Sequence, residues 1–490
     1  MCFNISNLTM DAHRIIGRKE EQRIFRNYLD SPKAELVAVY GRRRVGKTYL
    51  IKSFFNNKFD FAFSGMYDTP KNVQISQFQK HLEKYSNRPY KRFKNWFEAF
   101  DALQNHLETL RKDKIVVFLD EIPWMDTPKS NFLAAFSQFW NGWASMKNNF
   151  KLFVCGSATT WMLSKFIGDK GGLYGRVCRA VWLRPFSLGE TELFLKQIKG
   201  ISMNRHEIIK AYMVFGGIPY YLDMLEKGIP LDVNIDRLFF AQGAPLSSEF
   251  EFLFRSLFSE SSIYKKTVLA LASKLKGMTR QEILAALKIK NGGSVSDVLE
   301  NLIKCDFVRK YTSIGKSERD AMYQLTDLFS LFNLRFSTDN SGRDEHFFVN
   351  NSGKGTINAW SGYAFEMVCL HHISQIKRAL SIGGIESNSY SWSCKGFTDS
   401  DGTKWNGSQI DLLIDRADNV INICEIKYTD DEYVITADYE QKLRRRATLF
   451  CSLTKTRKAI HHTFITVYGI MQNAHSGIVQ SQVRADELFE

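Results

Sequence analysis

The segment from Gly41 to Thr48 reads Gly-Arg-Arg-Arg-Val-Gly-Lys-Thr and has the full spacing of a phosphate-binding P-loop. The apolar run before it, residues 35–40, predicts a buried strand, and residues 49–55 predict the start of a helix. In this setting backbone N–H groups and the helix N-terminus attract phosphate oxygens. We expect Lys47 to reach the β- and γ-phosphates of ATP and Thr48 to ligate Mg²⁺. The predicted nucleotide-binding loop consists of Gly41, Arg42, Arg43, Arg44, Val45, Gly46, Lys47 and Thr48.

An acidic pair follows a second apolar run. Residues 114–119 predict a buried strand, and Asp120 and Glu121 come directly after it. An acid at the carboxyl end of a parallel strand lies near a P-loop in an α/β sheet. We expect Asp120 to hold the Mg²⁺ and Glu121 to orient and deprotonate the attacking water.

A third predicted strand, residues 151–155, is followed by Gly156 and four polar or small residues that begin with Ser157. Two interpretations of Ser157 and the threonines after it stay open at this point. They contact the γ-phosphate or position the water, or they cap the next helix, since Ser and Thr cap well.

A different set of residues in the last third of the chain predicts phosphodiester chemistry. Residues 409–415 and 420–428 read as two strands joined by a short turn. Since side chains alternate along a strand, Glu425 and Lys427 point to one face, and an antiparallel hairpin brings Asp411 beside them. Carboxylates with a lysine suit a Mg²⁺ site that hydrolyses a phosphodiester. Lys427 would position or activate water.

Two flanking helices add candidates. Residues 360–372 carry Glu366 among apolar neighbours, where it completes the metal shell or lies on the surface. A later helix carries a basic cluster, Lys442 and Arg444 to Arg446, which we expect to lie away from the metal centre and to bind backbone phosphates. The predicted metal ligands are Thr48, Asp120, Glu366, Asp411 and Glu425, and the residues predicted from these patterns to be catalytic are Glu121, Asp411, Glu425 and Lys427.

Composition narrows the class of protein. The 490 residues predict about three domains, and the formal net charge of +14 favours a polyanionic partner. No apolar run is long enough to span a bilayer, so no membrane partner is expected. The first six residues lack the pattern of a signal peptide, and the eight cysteines contain no CxxC pair. These features predict a cytoplasmic protein without a zinc site.

The order of predicted elements gives an organisation in four parts. Alternating strands and helices extend to Phe186, and a helical region with a Gly-Gly-Ile-Pro turn between two helices follows. Next come three helices and a hairpin, the pattern of a winged helix. The third of these helices exposes Asp297 and Glu300, so we favour a protein-binding or architectural role over entry into a DNA groove. The predicted domains are a P-loop ATPase domain (1–186), a helical lid (187–260), a winged helix (261–337) and a nuclease-like domain (338–490).

Together these segments resemble the AAA+-type P-loop ATPases of archaea and some bacteria that carry a C-terminal domain of the PD-(D/E)XK nuclease superfamily (DUF234-type). The resemblance covers nearly the whole chain. It implies an α/β fold with an AAA+-type parallel sheet, a helical lid, a winged helix and a restriction-endonuclease-like α/β domain. The segments that carry it are 16–18, the P-loop, 119–124, 155–157, 173–176, 217–219, and the residues Asp411, Glu425 and Lys427.

The resemblance also implies individual roles. Arg176 would be an arginine finger that acts across a subunit boundary, which allows a homo-oligomer, and Ser157 would sense the γ-phosphate. The turn that contains Pro219 would lie near the nucleotide base and the lid. The chain departs from the family in having the short Ser157 where Asn or Thr is common. It also lacks a clear second sensor arginine in the lid, which weakens the case for a motor-like ring.

Three functions are compatible with these residues. The first is an ATP-driven enzyme that acts on nucleic acid, DNA being the favoured form, with its own nuclease domain. The second is a switch-type ATPase whose C-terminal domain binds DNA without cleaving it. The third is a scaffold that recruits protein through the winged helix.

Overall fold

Five parallel strands form the first sheet of the chain. They are β1 (Glu35–Tyr40), β2 (Phe61–Ser64), β3 (Ile115–Asp120), β4 (Phe150–Gly156) and β5 (Arg179–Trp182). Their order across the sheet is β2-β3-β4-β1-β5, and each neighbouring pair is parallel. Every residue of β4 is buried, as expected for a parallel strand that is covered on both faces. The predicted α/β class with a parallel sheet is therefore confirmed.

The structure, a computed structural model, describes residues 15–168, 171–258, 261–290, 292–314, 320–340, 342–398, 402 and 404–490. The first six residues, on which the prediction of no signal peptide rests, lie outside the described residues. The chain divides into two compact units, Met1–Pro185 and Phe186–Glu490. We call them the N-terminal and the C-terminal unit and describe each by itself.

Aromatic side chains pack the helices of the N-terminal unit onto the sheet. On one face, Phe78, Phe100 and Phe136 belong to a large buried cluster. Elsewhere in the unit, the ring of Phe153 from β4 contacts the rings of Phe25 and Phe55 edge-on. The helices are α1 (Lys19–Asp30), α2 (Lys47–Phe54), α3 (Lys71–Ser86), α4 (Trp96–Glu108), α5 (Ile122–Met125), α6 (Phe132–Gly142) and α7 (Thr159–Trp161).

Five helices begin the C-terminal unit. Two of them start with a capping box, formed by Ser187 with Glu190 and by Asn204 with Glu207. The Gly-Gly turn predicted between two helices is confirmed, since Gly216 and Gly217 both have φ 65° and connect the second helix to the third. The helices are α8 (Leu188–Gln197), α9 (Arg205–Phe215), α10 (Pro219–Leu222), α11 (Leu231–Phe239) and α12 (Glu249–Leu257).

A group of three helices and a three-stranded sheet follows. The helices are α13 (Ser261–Ser273), α14 (Arg280–Leu287) and α15 (Gly293–Lys304). The strands β6 (Met278–Thr279), β7 (Val308–Tyr311) and β8 (Met322–Leu325) pair antiparallel in the order β6-β8-β7. The predicted capping box of Thr279 and Glu282 is confirmed.

The second large sheet mixes antiparallel and parallel strands. Its order is β15-β14-β13-β12-β9, with antiparallel pairs on the β9 side and parallel pairs on the β15 side. The strands are β9 (Ser387–Cys394), β12 (Ser408–Arg416), β13 (Val420–Lys427), β14 (Ala459–Thr466) and β15 (Ser481–Arg484), and β10 (Phe397–Thr398) with β11 (Lys404–Trp405) forms a separate pair. The helices are α16 (Leu328–Phe332), α17 (Thr338–Asn340), α18 (Phe347–Asn351), α19 (Gly355–His371), α20 (Ile373–Ala379) and α21 (Ala437–Thr454).

The core of this sheet is apolar. Leu449 and Phe450 of α21 pack against Ile423 of β13, Leu413 of β12 and Trp392 of β9. Among the described residues no helix is both long and apolar enough to cross a membrane. No disulfide joins any of the cysteines that the structure describes.

One strand separates the strand that leads into the P-loop from the strand that carries the acidic pair. Strand β4 lies between β1, which leads into the P-loop, and β3, which carries Asp120. The last residue of β4, Gly156, has no room for a side chain. At Gly156, an added Cβ would lie 2.7 Å from Cγ and Cδ of Pro123 and 2.8 Å from Sδ of Met162.

This crowding gives a prediction for Gly156→Ala. We expect the free energy of unfolding of the N-terminal unit to fall by about 1–3 kcal/mol, because overpacking displaces Pro123 or Met162. The matched control is Gly142→Ala in α6, where an added Cβ meets nothing within 4 Å. We expect that control to be neutral or more stable. Chemical denaturation of both variants and the wild type tests this, and equal stability of the two variants would contradict it.

Candidate functional site

The loop between β1 and α2 has the backbone of an anion cradle. Arg44 and Gly46 have positive φ values of 73° and 91°. At Gly41, where φ is 145°, an added Cβ would clash with the carbonyl oxygen of Leu183, so only glycine fits. Lys47 is 5% exposed, and its Nζ donates to the carbonyls of Gly41 and Arg42 at 2.9 Å each. Burial lowers the pKa of Lys47, and the charges of Glu121 and Asp120 oppose this effect.

Asp120 lies directly beside this loop despite the intervening strand. The hydroxyl of Thr48 donates to Oδ1 of Asp120 at 2.9 Å, and that of Ser64 donates to Oδ2 at 3.1 Å. The thiol of Cys155 donates to Oδ1 at 2.6 Å, and burial raises the pKa of this thiol well above its ordinary value. A hydroxyl and a carboxylate in contact are oxygen donors that suit Mg²⁺. The two residues predicted to hold the metal therefore fit that role.

Glu121 is held by Ser157. Glu121 has φ 47° and ψ 50°, a left-handed conformation that is costly for a residue with a Cβ and is typical of functional positions. Its Oε2 accepts hydrogen bonds from the backbone N–H and the hydroxyl of Ser157, both at 2.9 Å. Burial raises the pKa of Glu121, while the charge of Lys47 and the bonds from Ser157 lower it. The carboxylate is thus positioned beside the P-loop lysine.

This geometry also decides between the two interpretations of the polar segment after β4. The next helix, α7, begins at Thr159, and its N-cap residue Ala158 makes no side-chain capping bond. The hydroxyl of Ser157 is directed to Glu121 instead, so Ser157 is not a helix cap. Contact of Ser157 with a γ-phosphate stays a prediction.

Gln74 connects the segment after β2 to α5, the helix that follows the acidic pair, and the sequence does not predict this role. Its side chain is fully buried in α3, and its Nε2 donates to the carbonyls of Met66 and Trp124 at 2.6 and 3.0 Å. Its Oε1 accepts from the N–H of Met66 at 3.1 Å. A glutamine in an amphipathic helix ordinarily indicates the solvent face, so nothing in the local pattern indicates this role.

The structure describes two further predicted site residues, Arg176 and Pro219, but it does not test the roles predicted for them. Arg176 is exposed in a turn next to Gly175, which has φ 66°. Pro219 begins α10 in the C-terminal unit. The assignments of Arg176 as an arginine finger and of Pro219 to the nucleotide both stay predictions.

In the C-terminal unit, a β-bulge carries Asp411. Strand β12 pairs Ile410 with Trp392 and Leu413 with Tyr390, so Asp411 and Leu412 share one partner residue, Ser391. On the other side, Leu412 pairs with Cys424 of β13. The next residues along these antiparallel strands are Asp411 and Glu425, so the predicted hairpin brings the two carboxylates to adjacent positions.

Glu425 is 5% exposed and has three partners. Its Oε1 accepts from Arg446, its Oε2 accepts from the hydroxyl of Tyr439 at 2.6 Å, and Nζ of Lys427 lies 3.6 Å from the same oxygen. The predicted common face of Glu425 and Lys427 is thereby confirmed. The expectation that Arg446 lies away from this centre is wrong, because α21 crosses the sheet with Arg446 directed at Glu425. Tyr439 was missed because a tyrosine in a helix ordinarily indicates packing.

A second pair of carboxyl groups, Glu366 and Asp411, shares this centre. Burial and then the charge of Asp411 raise the pKa of Glu366 to about 8, and Lys427 opposes the shift. Burial lowers the pKa of Lys427, with Glu366 and Asp411 acting against it. The charge of Asp411 also acts on Arg446 and Tyr439, the two partners of Glu425. Glu366 is thus half-buried and senses the charge of Asp411, and its place in a metal shell stays a prediction.

The donor set fits a hard divalent cation only in part. Asp411 and Glu366 repel each other in a buried position, and a cation would relieve that repulsion. Both oxygens of Glu425 already accept hydrogen bonds. Within the described ranges, no three His, Cys, Asp or Glu side chains lie close enough to form a metal cluster. Ligation of a cation by Asp411, Glu366 and Glu425 stays a prediction.

Comparison with known proteins identifies the N-terminal site. Residues 16–225 match the family model described as an ATPase domain predominantly from Archaea. The uncharacterized protein MJECL04 of Methanocaldococcus jannaschii is 28% identical over 369 residues, which cover 74% of this chain and 78% of that protein. The uncharacterized ATP-binding protein MJ0423 of the same organism is 51% identical over 43 residues, 9% of this chain and 73% of that protein. A solved structure, the Walker-type ATPase of Pyrococcus abyssi, is 20% identical with a TM-score of 0.47, covering 66% of this chain and 96% of that one.

The family match and the geometry around Lys47 agree. The chain therefore carries a P-loop ATPase domain, the class that binds and hydrolyses ATP. The match ends before the second sheet, so it does not extend to the centre around Asp411 and Glu425.

The raised pKa of Glu366 gives a prediction for stability against pH. The unfolded carboxyl titrates near its ordinary value of 4.5, and the folded carboxyl at about 8. Between these values the folded state binds more protons, so this stabilisation is complete below pH 4.5 and is lost as pH rises through 8, by up to about 1.4 kcal/mol per pH unit. Glu366→Gln removes the titrating group, and we expect the free energy of unfolding of this variant to depend less on pH.

Chemical denaturation at about pH 5.5 and about pH 7.5 measures this slope. The control is Glu432→Gln, which changes an exposed glutamate of the same unit and should keep the slope of the wild type. An unchanged slope in Glu366→Gln would show that Glu366 is ionised normally in the fold.

Proposed function

We propose that this protein is an AAA+-type ATPase that acts on nucleic acid, DNA being the favoured form, through a Mg²⁺-dependent nuclease centre of the PD-(D/E)XK type in its C-terminal unit. The observation that carries the proposal is the convergence of Asp411, Glu425 and Lys427 at one position of the second sheet. Glu425 contacts Lys427, Tyr439 and Arg446, and the charge of Asp411 acts on the same three residues.

The strand order around that position supports the proposal. Two antiparallel pairings place the acidic hairpin next to β9, and two parallel pairings continue the sheet on the other side. Helix α19 supplies Glu366, and α21 supplies Arg446 and Tyr439. We also assign residues 261–337 as a winged helix, on the order of α13, α14 and α15 with β6, β7 and β8.

The ATPase mechanism follows from the N-terminal geometry. Lys47 would neutralise charge on the β- and γ-phosphates, and the hydroxyl of Thr48 with Asp120 would hold the Mg²⁺ that accompanies ATP. When bound, the cation supplies positive charge to the phosphate oxygens. Glu121 would take a proton from water as the water oxygen attacks the γ-phosphorus and the bond to ADP breaks. Ser157 orients Glu121 through its two hydrogen bonds.

At the C-terminal centre, the residues of the chain would bind Mg²⁺ and position the attacking water. Asp411 and Glu366 would hold Mg²⁺, which supplies Lewis acidity to a backbone phosphate when it is bound. Lys427 would position the water that attacks phosphorus, with the 3′- or 5′-oxygen as the leaving group. Arg446 and Tyr439 fix the Glu425 carboxylate, and Glu425 in turn lies next to Lys427.

One observation favours a second function. Both oxygens of Glu425 are engaged by Arg446 and Tyr439, which suits a centre that binds a phosphate backbone without cleaving it. In that case the chain is a switch-type ATPase whose C-terminal domain binds DNA.

The assignment of Arg176 as an arginine finger has a separate test. It would be supported by recovery of ATP hydrolysis in mixtures of Arg176→Ala with Lys47→Ala subunits.

The first functional prediction concerns Glu121. We expect Glu121→Gln to bind ATP but to lower kcat by about 10²-fold or more, because water activation is lost while phosphate contacts survive. Lys47→Ala should lose ATP binding. Ser157→Ala should shift the acidic limb of the pH profile of kcat to higher pH, because the Ser157 bonds lower the pKa of Glu121.

Steady-state ATP hydrolysis and nucleotide binding of the full chain measure these effects. Gln138→Ala, a change of an exposed residue in α6, serves as a control for general effects of substitution in the N-terminal unit. A wild-type kcat in Glu121→Gln would exclude Glu121 as the base.

The second functional prediction concerns Asp411. We expect the full chain to cleave plain DNA with Mg²⁺ or Mn²⁺, and we expect Asp411→Asn to lose cleavage and retain ATP hydrolysis, since the two centres are built from different residues. The control is Asp415→Asn on the same strand, where the carboxylate pairs with Lys458 at 2.6 Å instead. Cleavage by Asp411→Asn at the wild-type rate would contradict the nuclease assignment. Binding without cleavage by the wild type would favour the switch-type ATPase.

A further inference from the structure

The hairpin of β7 and β8 lies against the same corner of the second sheet that carries Asp411. After β7, Ser313 forms a parallel bridge with Ser391 of β9. The N–H of Ile314 donates to the carbonyl of Ser391 at 3.3 Å. Ser391 is the residue opposite the bulge of β12, the bulge that contains Asp411. The segment after β7 therefore joins the sheet one strand away from this carboxylate.

A second attachment reaches the helix that carries Glu366. The hydroxyl of Tyr363 in α19 donates to the carbonyl of Leu275 at 2.8 Å and accepts from Nε2 of Gln324 in β8 at 3.2 Å. Tyr363 and Glu366 are three residues apart, so they lie on the same face of α19. The hairpin is thus attached to β9, next to the strand of Asp411, and to α19, the helix of Glu366.

Arg309 of β7 lies next to the second attachment, because Gln324 bonds both Arg309 and Tyr363. Its Nε donates to Oε1 of Gln324 at 2.7 Å, and its guanidinium lies 4.5 Å from the ring centroid of Tyr311. Over the residues that the structure describes, neither Nη nitrogen of Arg309 has a hydrogen-bond or ion-pair partner. Burial lowers the pKa of Arg309, and the charges of Tyr311, Tyr363, Asp411 and Glu366 oppose this effect. Arg309 is therefore near both carboxyl groups without being paired to either.

A groove lies between the hairpin and the sheet. It has a volume of about 1330 Å³, and its lining includes Lys276, Ile314, Lys395 and Gln409. Nε2 of Gln409 donates to Oδ1 of Asp411 at 2.5 Å. The charge of Lys276 also acts on Glu366. The groove wall thus carries lysines together with Asp320 and Asp415, and one of its residues, Gln409, is hydrogen-bonded to Asp411.

We propose that Arg309 belongs to the C-terminal centre, where its two Nη nitrogens hold the non-bridging oxygens of a DNA backbone phosphate beside Asp411 and Glu366. This inference rests on the proposed function and extends it, because the centre is then built jointly by residues 261–337 and 338–490. The planar guanidinium matches phosphate geometry with two parallel hydrogen bonds, which an ammonium group does not provide.

The inference changes the role of the winged helix. Its sequence predicts an architectural or protein-binding module, because α15 exposes acidic residues. The basic contact comes from the hairpin instead, which supplies one wall of the phosphate site. Phosphate contacts carry no base information, so we expect Arg309 to contribute to affinity for all DNA sequences alike.

The test uses the full chain and a fluorescent duplex of plain DNA. We expect Arg309→Gln to raise Kd about tenfold and to reduce the slope of log Kd against log salt by about one phosphate contact. Arg309→Lys should recover part of the affinity at low salt, since it restores charge without the paired donors. Cleavage of the same duplex with Mn²⁺ should fall in parallel, while ATP hydrolysis remains unchanged.

Two controls separate a phosphate contact from a packing role. Arg335→Gln removes an exposed arginine of the same unit and should leave the salt slope unchanged. Tyr363→Phe removes the hydroxyl that attaches α19 to the hairpin. It shows how much DNA binding changes when this attachment is weakened while Arg309 is retained. If Arg309→Gln lowers the thermal midpoint but keeps the wild-type slope, Arg309 only packs the hairpin and the inference is wrong. If the wild-type chain neither binds nor cleaves DNA, the proposed function itself fails and this inference fails with it.

Discussion

Charge taken out of water must be matched by donors, and that constraint shapes both centres of this protein. A buried carboxylate without partners either gains a proton or destabilises the fold. Asp120 meets the constraint with donors from Thr48, Ser64 and Cys155 on three separate elements. Because each donor comes from a different strand or helix, satisfying Asp120 requires the parallel sheet and the P-loop to be assembled together.

The C-terminal centre meets the same constraint in two ways. Glu425 is fully supplied, with Arg446, Tyr439 and Lys427 around it. Within the described part of the chain Glu366 has no hydrogen-bond donor, and burial together with the charge of Asp411 raises the pKa of its carboxyl. Glu425, with its three partners, is suited to holding Lys427, Tyr439 and Arg446 in place. A cation would relieve the repulsion between Glu366 and Asp411, which is why the proposed metal site is placed there.

The sequence predicts best what is encoded locally. The P-loop, the strands and the Asp120-Glu121 pair follow from short runs with a known spacing, and the alternation of strand residues correctly placed Lys427 beside Glu425. The capping box at Thr279 is also a local pattern. In each case the residues that decide the geometry are within a few positions of one another, so one sequence contains the necessary information.

What the sequence does not predict depends on pairings between distant segments. The insertion of β4 between β1 and β3 sets the partner of Ser157, and no local pattern specifies that order. Arg446 is 21 residues from Glu425, and it reaches that carboxylate only because α21 crosses the sheet at one angle. Gln74 and Tyr439 have types that usually indicate surface and core, respectively. The bonds of Gln74 to Met66 and Trp124 and the bond of Tyr439 to Glu425 become visible only when the distant chain segments are placed.

The boundary of the ATPase family match has a structural consequence. The match extends to residue 225, whereas the compact N-terminal unit ends at Pro185, so α8 and α9 belong to the unit that contains the second sheet. The N–H of Leu188 in α8 donates to Nε2 of His372 at 3.0 Å, directly after α19. Burial lowers the pKa of His372 to about 4, so the imidazole is neutral and can accept this bond.

The same helix, α19, therefore carries Glu366 at the candidate nuclease centre and leads into His372 at the contact with α8. A helix transmits displacement along its axis because packed side chains do not deform continuously. We therefore expect substitutions in α8 or at His372 to act on the position of Glu366 as well as on local packing. Such variants do not separate the two proposed activities, whereas variants at Lys47, Glu121 or Asp411 do, because each of these residues belongs to one centre only.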